Sequence, residues 1–359
     1  MTVLSVLIPS EQEKKEIEKT IYSVKRNLRR VLFREGISCK IESAGSTAKD
    51  TYLPGDTDID IFVVCNNPQK AYDVIKHEYP HGHRKPGELL IWNVNQNGYD
   101  IDFVFIHPES KQTATLRHTE FFRKHLSLQQ RNEVRKAKAL FKSKGVYGAE
   151  IGGITGVAIE ELVRRHKTLD GVCKFIINQK EKPWVQDPVL DRPRNLLASV
   201  VPERWKQIQK VCKDYLATRK VEYKRYTQNS FVNERVREGF HVVVLPRKKE
   251  RPQDYYRARK ICVRSCNQLI NLEKPDINTC MCDVYVGAEN VVVAFKVEPQ
   301  TLPPAKEVCI PKALPSHAIQ AFKQAHPNYY EKNNKICAVV KRKITNPQRW
   351  LRAQIKTKW

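Results

Sequence analysis

Two acids spaced two apart inside an apolar run place the tightest constraint on this chain. In Asp58-Ile59-Asp60-Ile61-Phe62-Val63-Val64 the apolar Ile59, Ile61 and Val63 alternate with Asp58, Asp60 and Phe62. That is the period of a strand with one face packed, and it aims both carboxylates into one small volume. Like charges so close repel strongly in a partly dry site, so a cation must hold them. Hard oxygen ligands on a rigid strand suit Mg²⁺, which fills its remaining positions with water and phosphate oxygens. Upstream, Gly45-Ser46 offers backbone N–H groups and a hydroxyl to a phosphate. Between them, Pro54-Gly55-Asp56 reads as a turn, so Asp56 is a turn residue although it shares the parity of the other two acids. Together these features describe a site for a nucleoside triphosphate.

A third carboxylate is expected from a neighbouring strand. The run Leu89 to Val94, the linker Asn95-Gln96-Asn97-Gly98 and the run Tyr99 to Ile106 read as a hairpin. Asp100 and Asp102 share one face of its second strand, and either can complete the site. Asp102 lies deeper in the strand and is the preferred ligand. Three carboxylates on adjacent strands can hold two Mg²⁺ ions, the arrangement that activates a hydroxyl nucleophile and neutralises a departing pyrophosphate.

The net charge of +25 is extreme for a soluble enzyme and favours a polyanionic partner, with nucleic acid the simplest one. No apolar run reaches membrane-spanning length, and the short apolar start meets Pro9 and acids, unlike a secretory leader. The ten cysteines are therefore expected reduced, inside a cell. Cys262, Cys266, Cys280 and Cys282 depart from the usual zinc spacings. Buried thiols on one helical and one strand face explain them without a metal.

Elsewhere the pattern is readable in outline. Ser10-Glu11-Gln12-Glu13 is a capping box that opens a helix to about Arg34, and a strand from Ile37 to Ser43 feeds the Gly-Ser turn. Pro68 to Tyr79 reads as a helix. The histidines at 77, 81 and 83 fit no common metal spacing and read as a loop or nucleic-acid contact. From Ala114 to about Leu216 the pattern is helical, interrupted by Gly152, Gly153 and Gly156, which mark a turn or a close backbone approach. On spacing alone Lys138 is one more solvated helix charge. Between Pro202 and Cys262, 17 Lys/Arg stand against 7 Asp/Glu, interleaved with Tyr215, Tyr223, Tyr226, Tyr255 and Tyr256. Such a mixture suits phosphate contacts and base stacking. Strands are expected at 240–245, 282–286, 291–297 and 336–340, and a helix at 316–325.

The stretch from Gly45 to Asp60 resembles the nucleotidyltransferase superfamily, and more closely the archaeal-type (class I) CCA-adding enzymes, the tRNA nucleotidyltransferases. Their pattern, Gly-Ser-x-Ala-Arg-x-Thr-x-Leu-Pro-Gly-Asp-x-Asp-Ile-Asp, is matched except that Lys49 stands where arginine is usual. The likeness continues through Lys138, nine residues before Tyr147-Gly148-Ala149-Glu150, and through Asp187 to Asn195. It weakens after about residue 200.

The resemblance implies an α+β fold: a palm-like mixed sheet with helices, a helical middle domain and a smaller α/β C-terminal domain. The corresponding domains are residues 1–112 (head), 113–217 (neck) and 218–359 (body). The implied activity is template-independent addition or repair of the 3′-terminal CCA of tRNA from CTP and ATP, in the cytoplasm. Asp58, Asp60 and Asp102 would bind Mg²⁺. Gly45, Ser46, Lys49, Thr119, Lys138 and Tyr147 would face the triphosphate, and Arg194 the base and phosphates. The family suggests a homodimer. Phe122 fills a position where the family has a phosphate-binding histidine, and the chain stops soon after Lys341-Arg342-Lys343, where the family continues into a helical tail. These departures leave room for a related terminal RNA adenylyltransferase or a minihelix-directed enzyme. A non-catalytic RNA-binding protein is disfavoured because all three carboxylates are present.

Overall fold

The structure, a computed structural model, describes residues 7–85, 89–221, 223, 227–247, 254–273, 276–277, 279–286, 290–342 and 344–359. The apolar start through Val6, Tyr226 and Lys343 lie outside them. Spatial clustering gives two compact units, Met1–Thr227 with Lys248–Tyr256, and Gln228–Arg247 with Arg257–Trp359.

The first unit opens on helix α1 (Glu11–Arg34). Ser10 Oγ accepts the Glu13 backbone N–H at 3.1 Å, which satisfies one of the free donors of the first turn. Only this half of the expected capping box forms, since the Glu13 carboxylate accepts the Gly55 N–H at 3.4 Å. The buried stripe of α1 is Ile17, Val24, Leu28, Val31 and Leu32. Next come β1 (Cys39–Ala44), the single turn α2 (Gly45–Ala48) and β2 (Asp58–Cys65). Helix α3 (Pro68–Glu78), β3 (His83–Arg84), β4 (Leu90–Gln96) and β5 (Tyr99–Ile106) follow.

These strands form one mixed sheet in the order β1-β2-β5-β4-β3. Only the β2–β5 pair is parallel, and parallel neighbours need a long crossover, supplied here by α3 and the strands after it. The hairpin turn is tighter than the sequence suggests. Asn97 and Gly98 alone take positive φ, +56° and +81°, which a two-residue primed turn requires. Asn95 and Gln96 consequently extend β4, pairing with Asp100 and Tyr99.

One face of the sheet packs against α1 and α3 through Ile59, Ile61, Val63, Ile101, Phe103 and Phe105. Tyr72 meets Trp92 and Phe105 edge-on, with ring centroids 5.8 and 5.6 Å apart, and Tyr79 leans on Phe103 at 5.2 Å. The aspartates occupy the opposite face. A second core in this unit gathers helices α4 (Ala114–His125), α5 (Leu128–Ser143), α6 (Gly156–His166), α7 (Leu169–Ile177) and α8 (Pro202–Thr218) around Phe122, Phe141, Leu162, Val172 and Ile208.

The second unit holds two antiparallel three-stranded sheets. Strand β8 (Asn290–Glu298) lies between β6 (His241–Pro246) and β7 (Thr279–Val286). Strand β11 (Lys335–Lys341) lies between β9 (Ala305–Pro311) and β10 (Tyr330–Lys332). Helices α9 (Gln228–Arg237), α10 (Asp254–Glu273, its first turn counted with the first unit), α11 (Ser316–Ala325) and α12 (Pro347–Lys358) complete the chain. Among the described residues no helix is long and apolar enough to cross a membrane.

The thiol expectation is corrected. Cys266 is bonded to Cys280 and Cys309 to Cys337, so four of the ten cysteines are not reduced. Cys262, Cys266, Cys280 and Cys282 do come together, but as two pairs. Among the described residues they form no cluster with metal-binding geometry, and a bonded Cys266–Cys280 has no thiolate to offer a zinc ion.

Phe103 is fully buried where the sheet meets its helices. Phe103→Ala is expected to destabilise the protein by about 3–5 kcal/mol, read from denaturant unfolding.

Candidate active site

Strand pairing brings the predicted carboxylates together. In the parallel β2–β5 register Asp60 lies opposite Asp102 and Asp58 opposite Asp100, all on the face away from the helices. The Asp102 carboxylate is buried, accepting from Asn93 Nδ2 at 2.7 Å and from Lys85 Nζ at 2.5 Å. Asp100 is exposed, and its carboxylate accepts from Asn95 Nδ2 at 3.4 Å. Burial, reinforced by the charges of Asp102 and Asp58, pushes the Asp60 carboxyl up to about 6 against the pull of Lys85 and Lys49. Burial also raises Asp58, with Asp102 adding to it and Lys85 opposing. Asp102, not Asp100, is the neighbour that both β2 aspartates feel.

Gly45 explains how a chain turn fits against this cluster. Its φ is +73°, and a Cβ on it would overlap Asp60 Oδ2. Only glycine lets the backbone leave β1 so close to the carboxylate. Ser46 follows it in the same turn, α2, with its carbonyl accepting from Thr51 N at 2.9 Å.

The sequence-predicted cations lie in a second cluster, ordered by a residue that the sequence reading missed. Glu160, on α6, is fully buried. Its carboxylate binds Lys49 Nζ at 2.6 Å, Thr51 Oγ1 at 2.9 Å and Lys138 Nζ at 3.4 Å. Lys138 Nζ also donates to the carbonyl and hydroxyl of Thr51, both at 3.0 Å. Burial lowers the Lys138 ammonium to about 8 although Glu160 opposes the change. Burial pushes the Glu160 carboxyl up, but Lys49 and Lys138 outweigh it and the net shift is downward. Lys49 is thus turned inward, over the Phe122 ring at 5.7 Å.

Tyr147 packs beside this cluster. Gly156 makes room for it, because a Cβ there would sit 3.0 Å from the Tyr147 hydroxyl and 3.6 Å from Lys138 Cε. Burial raises the phenol first, with Glu160 and more weakly Asp58 adding to it. Asp58 acting on Tyr147, and Lys49 on Asp60, put the two clusters within electrostatic reach of each other.

Thr119 and Arg194 stand outside both clusters. The Thr119 hydroxyl donates within its own helix to Thr115 O at 2.9 Å. It lines a groove with the cations Lys25, Arg29, Arg117, Arg123 and Arg131. Arg194 is half exposed, 3.5 Å from Asp187 Oδ2, in a separate cleft shared with Arg117, His118, Thr155 and Arg192. Asp187 is itself pinned by His118 Nε2 at 2.8 Å. Asn195 Oδ1 accepts from Val185 N and Leu197 N, both at 3.0 Å, which closes the loop carrying Arg194.

Glu160 left no readable signal, because an acid between Ile159 and Glu161 on an amphipathic helix looks solvated. Asn93 and Lys85 were equally silent, since their role exists only through the strand pairing. The donor set fits a magnesium ion: three carboxylates converge, two of them raised by burial with the neighbouring aspartates adding to it, and an ammonium already occupies one edge.

Residues 24–89 match the family of nucleotidyltransferase domains. The CCA-adding enzyme of Pyrobaculum islandicum is 31% identical over 189 residues, 47% of this chain and 44% of that protein. That of Pyrobaculum aerophilum is 35% identical over 231 residues, 54% of each. That of Saccharolobus shibatae is 26% identical over 337 residues, 84% of this chain and 78% of that protein. Over these stretches the chain is similar to archaeal CCA-adding enzymes. It spans about half the length of the first two of these relatives. Looser likenesses of fold reach a cytoplasmic RNA terminal U-transferase and the Cid1 poly(U) polymerase. The first has a TM-score of 0.48 at 13% identity, covering 62% of this chain and 93% of that one. The second has a TM-score of 0.49 at 12% identity, covering 64% and 95%.

Two outcomes follow from these clusters. Glu160→Ala strands two buried ammonium groups and is expected to destabilise the protein by roughly 3–5 kcal/mol in denaturant unfolding. The second concerns Asp60, whose folded-state value lies above the unfolded one. The folded protein holds that proton more tightly, so the stability it contributes is present at low pH and lost as pH rises through about 6. Without metal, the stability advantage of Asp60→Asn over the native chain should therefore grow by roughly 1–3 kcal/mol between pH 4 and pH 7. Added Mg²⁺ should erase it, as unfolding curves with and without the ion will show.

Proposed function

We propose that this chain is a template-independent RNA nucleotidyltransferase that adds or repairs CCA at the 3′ end of tRNA, using CTP and ATP. The observation that carries the reading is the set of three carboxylates, Asp58 and Asp60 on β2 with Asp102 on β5, beside the Gly45 turn. The archaeal relatives supply the choice of reaction, because they are CCA-adding enzymes.

Asp58, Asp60 and Asp102 would hold two magnesium ions. Bound there, magnesium supplies Lewis acidity that activates the RNA 3′-hydroxyl and steadies the triphosphate as pyrophosphate leaves. Asn93 holds the Asp102 carboxylate by donating to Oδ1, so the side chain meets the site in one orientation. Lys85 pairs with Asp102 and would turn towards phosphate oxygens once a cation takes its place. Lys138 and Tyr147 would face the triphosphate, and Glu160 fixes the Lys138 ammonium beside them. Arg194, half exposed in its cleft, would meet the incoming base with a planar fork that lysine lacks. The groove lined by Lys25, Arg29, Arg117, Arg123 and Arg131 suits an RNA backbone. A cytoplasmic homodimer is part of the same reading.

Labelled CTP and ATP, separately and together with Mg²⁺, decide the matter on tRNA primers ending at the discriminator base, at C and at CC. Two C additions followed by one A and a stop are expected. A run of A on every primer would instead assign a terminal adenylyltransferase. Asp60→Ala should abolish transfer while RNA binding, followed by fluorescence anisotropy, changes little. Unchanged incorporation by that variant would sink the carboxylate assignment.

A further inference from the structure

The sequence holds ten cysteines, and in the structure every one of them faces another. Two pairs are bonded, Cys266–Cys280 and Cys309–Cys337. We infer that the remaining six are also disulfide-forming partners, as Cys39–Cys65, Cys173–Cys212 and Cys262–Cys282, so that the oxidised protein carries five cross-links and no free thiol.

Two of the new pairs repeat the geometry of a bonded pair, and the third joins two packed helices. Cys39 and Cys65 are directly opposed on the antiparallel β1 and β2. Cys309 and Cys337 stand in the same relation on β9 and β11, where they are bonded across 4.1 Å between Cα atoms. The Cys262–Cys282 pair extends the neighbouring bond by one rung. Four residues along a helix advance about 6 Å, and two along a strand about 6.8 Å. Moving from Cys266 back to Cys262 on α10 therefore matches moving from Cys280 forward to Cys282 on β7. The two thiols are in hydrogen-bond contact, as the spacing requires. Cys173 on α7 and Cys212 on α8 meet in the same way, both fully buried in the helical core.

Chance contact of buried thiols is a weak explanation for this pattern, because it leaves no cysteine over. Every pair also closes within one compact unit and joins two different elements: strand to strand, helix to helix, or helix to strand. Cross-links of this kind restrict the unfolded chain more than the folded one.

The oxidant is a disulfide compound acting by exchange. One cysteine thiolate attacks it, forming a mixed disulfide and releasing one thiol. The partner thiolate then displaces the second thiol and closes the protein bond. Two electrons pass from the cysteine pair to the oxidant, and the two protons end on its released thiols. Because Cys173, Cys212 and Cys262 are buried, the bonds close as the chain folds.

The test refolds the full-length, reduced chain in glutathione buffers of increasing oxidised fraction. N-ethylmaleimide then blocks free thiols in denaturant, and the protein is digested without reductant for mass spectrometry. The expected result is an intact mass lower than the reduced chain by two hydrogens per bond, no maleimide adduct, and cross-linked peptides for all five pairs. Single replacements sharpen it. Cys39→Ser, Cys173→Ser and Cys262→Ser should each leave one alkylated cysteine, respectively Cys65, Cys212 and Cys282. Maleimide on any of the six in the native chain at the most oxidising ratio overturns the inference for that pair. So does a cross-link to a different cysteine, or a variant that frees a different partner.

Discussion

Like charges on neighbouring strands are what this structure has to accommodate. Asp60 and Asp102 lie directly across the parallel β2–β5 pair, with Asp58 at the rim, and in a half-buried site their repulsion is only partly screened. Much of the surrounding polar structure answers that repulsion. Lys85 and Asn93 clasp Asp102, and Lys49 acts on Asp60 from its place beside Glu160. What remains uncompensated shows in the raised Asp60 carboxyl, for which burial is the larger cause. Under the proposed reading, a bound divalent cation would offset that repulsion.

The second cluster follows a different logic. Glu160, Lys49 and Lys138 exclude water around two cations and one anion, so an excess positive charge is built into the protein interior. Removing either kind of partner leaves an ion without compensation, which is why such groups persist although they add little net stability. Under the proposed reading that excess would lie beside a polyanionic substrate. It also explains the inward Lys49: a longer, forked side chain is not required where one buried carboxylate is the partner. The positive-φ turn at Gly45 serves the carboxylates as Glu160 serves the lysines, by bringing main chain close where a side chain would not fit.

Redox chemistry is a third layer, separate from the site. The bonded cysteines tie elements within the second unit, and the inferred pairs would do the same in both. The expectation of reduced thiols was an expectation about compartment, which says nothing of how thiols are placed once the chain is folded. The bonded pairs at Cys266–Cys280 and Cys309–Cys337 show that placement is decisive.

The local elements were legible because their causes are local. Alternation of Ile59, Ile61 and Val63 with Asp58 and Asp60 dictates a strand and the face of its acids. Asn97-Gly98 dictates a hairpin, and Ser10 starts a helix. Even the choice of Asp102 over Asp100 follows in part from its depth in the strand, although the register of β5 on β2 was needed to place it against Asp60. Glu160 gave no sign in the sequence, because a carboxylate on a helix looks alike whether it meets water or two lysines more than a hundred residues upstream and some twenty upstream. Lys85, Asn93 and the partners of ten cysteines are likewise long-range facts. The sequence by itself determined which residues carry charge, sulfur and conformational freedom, since those are properties of single side chains and short periods. Only the tertiary structure decided which of them meet, because contact depends on how distant segments pack and pair.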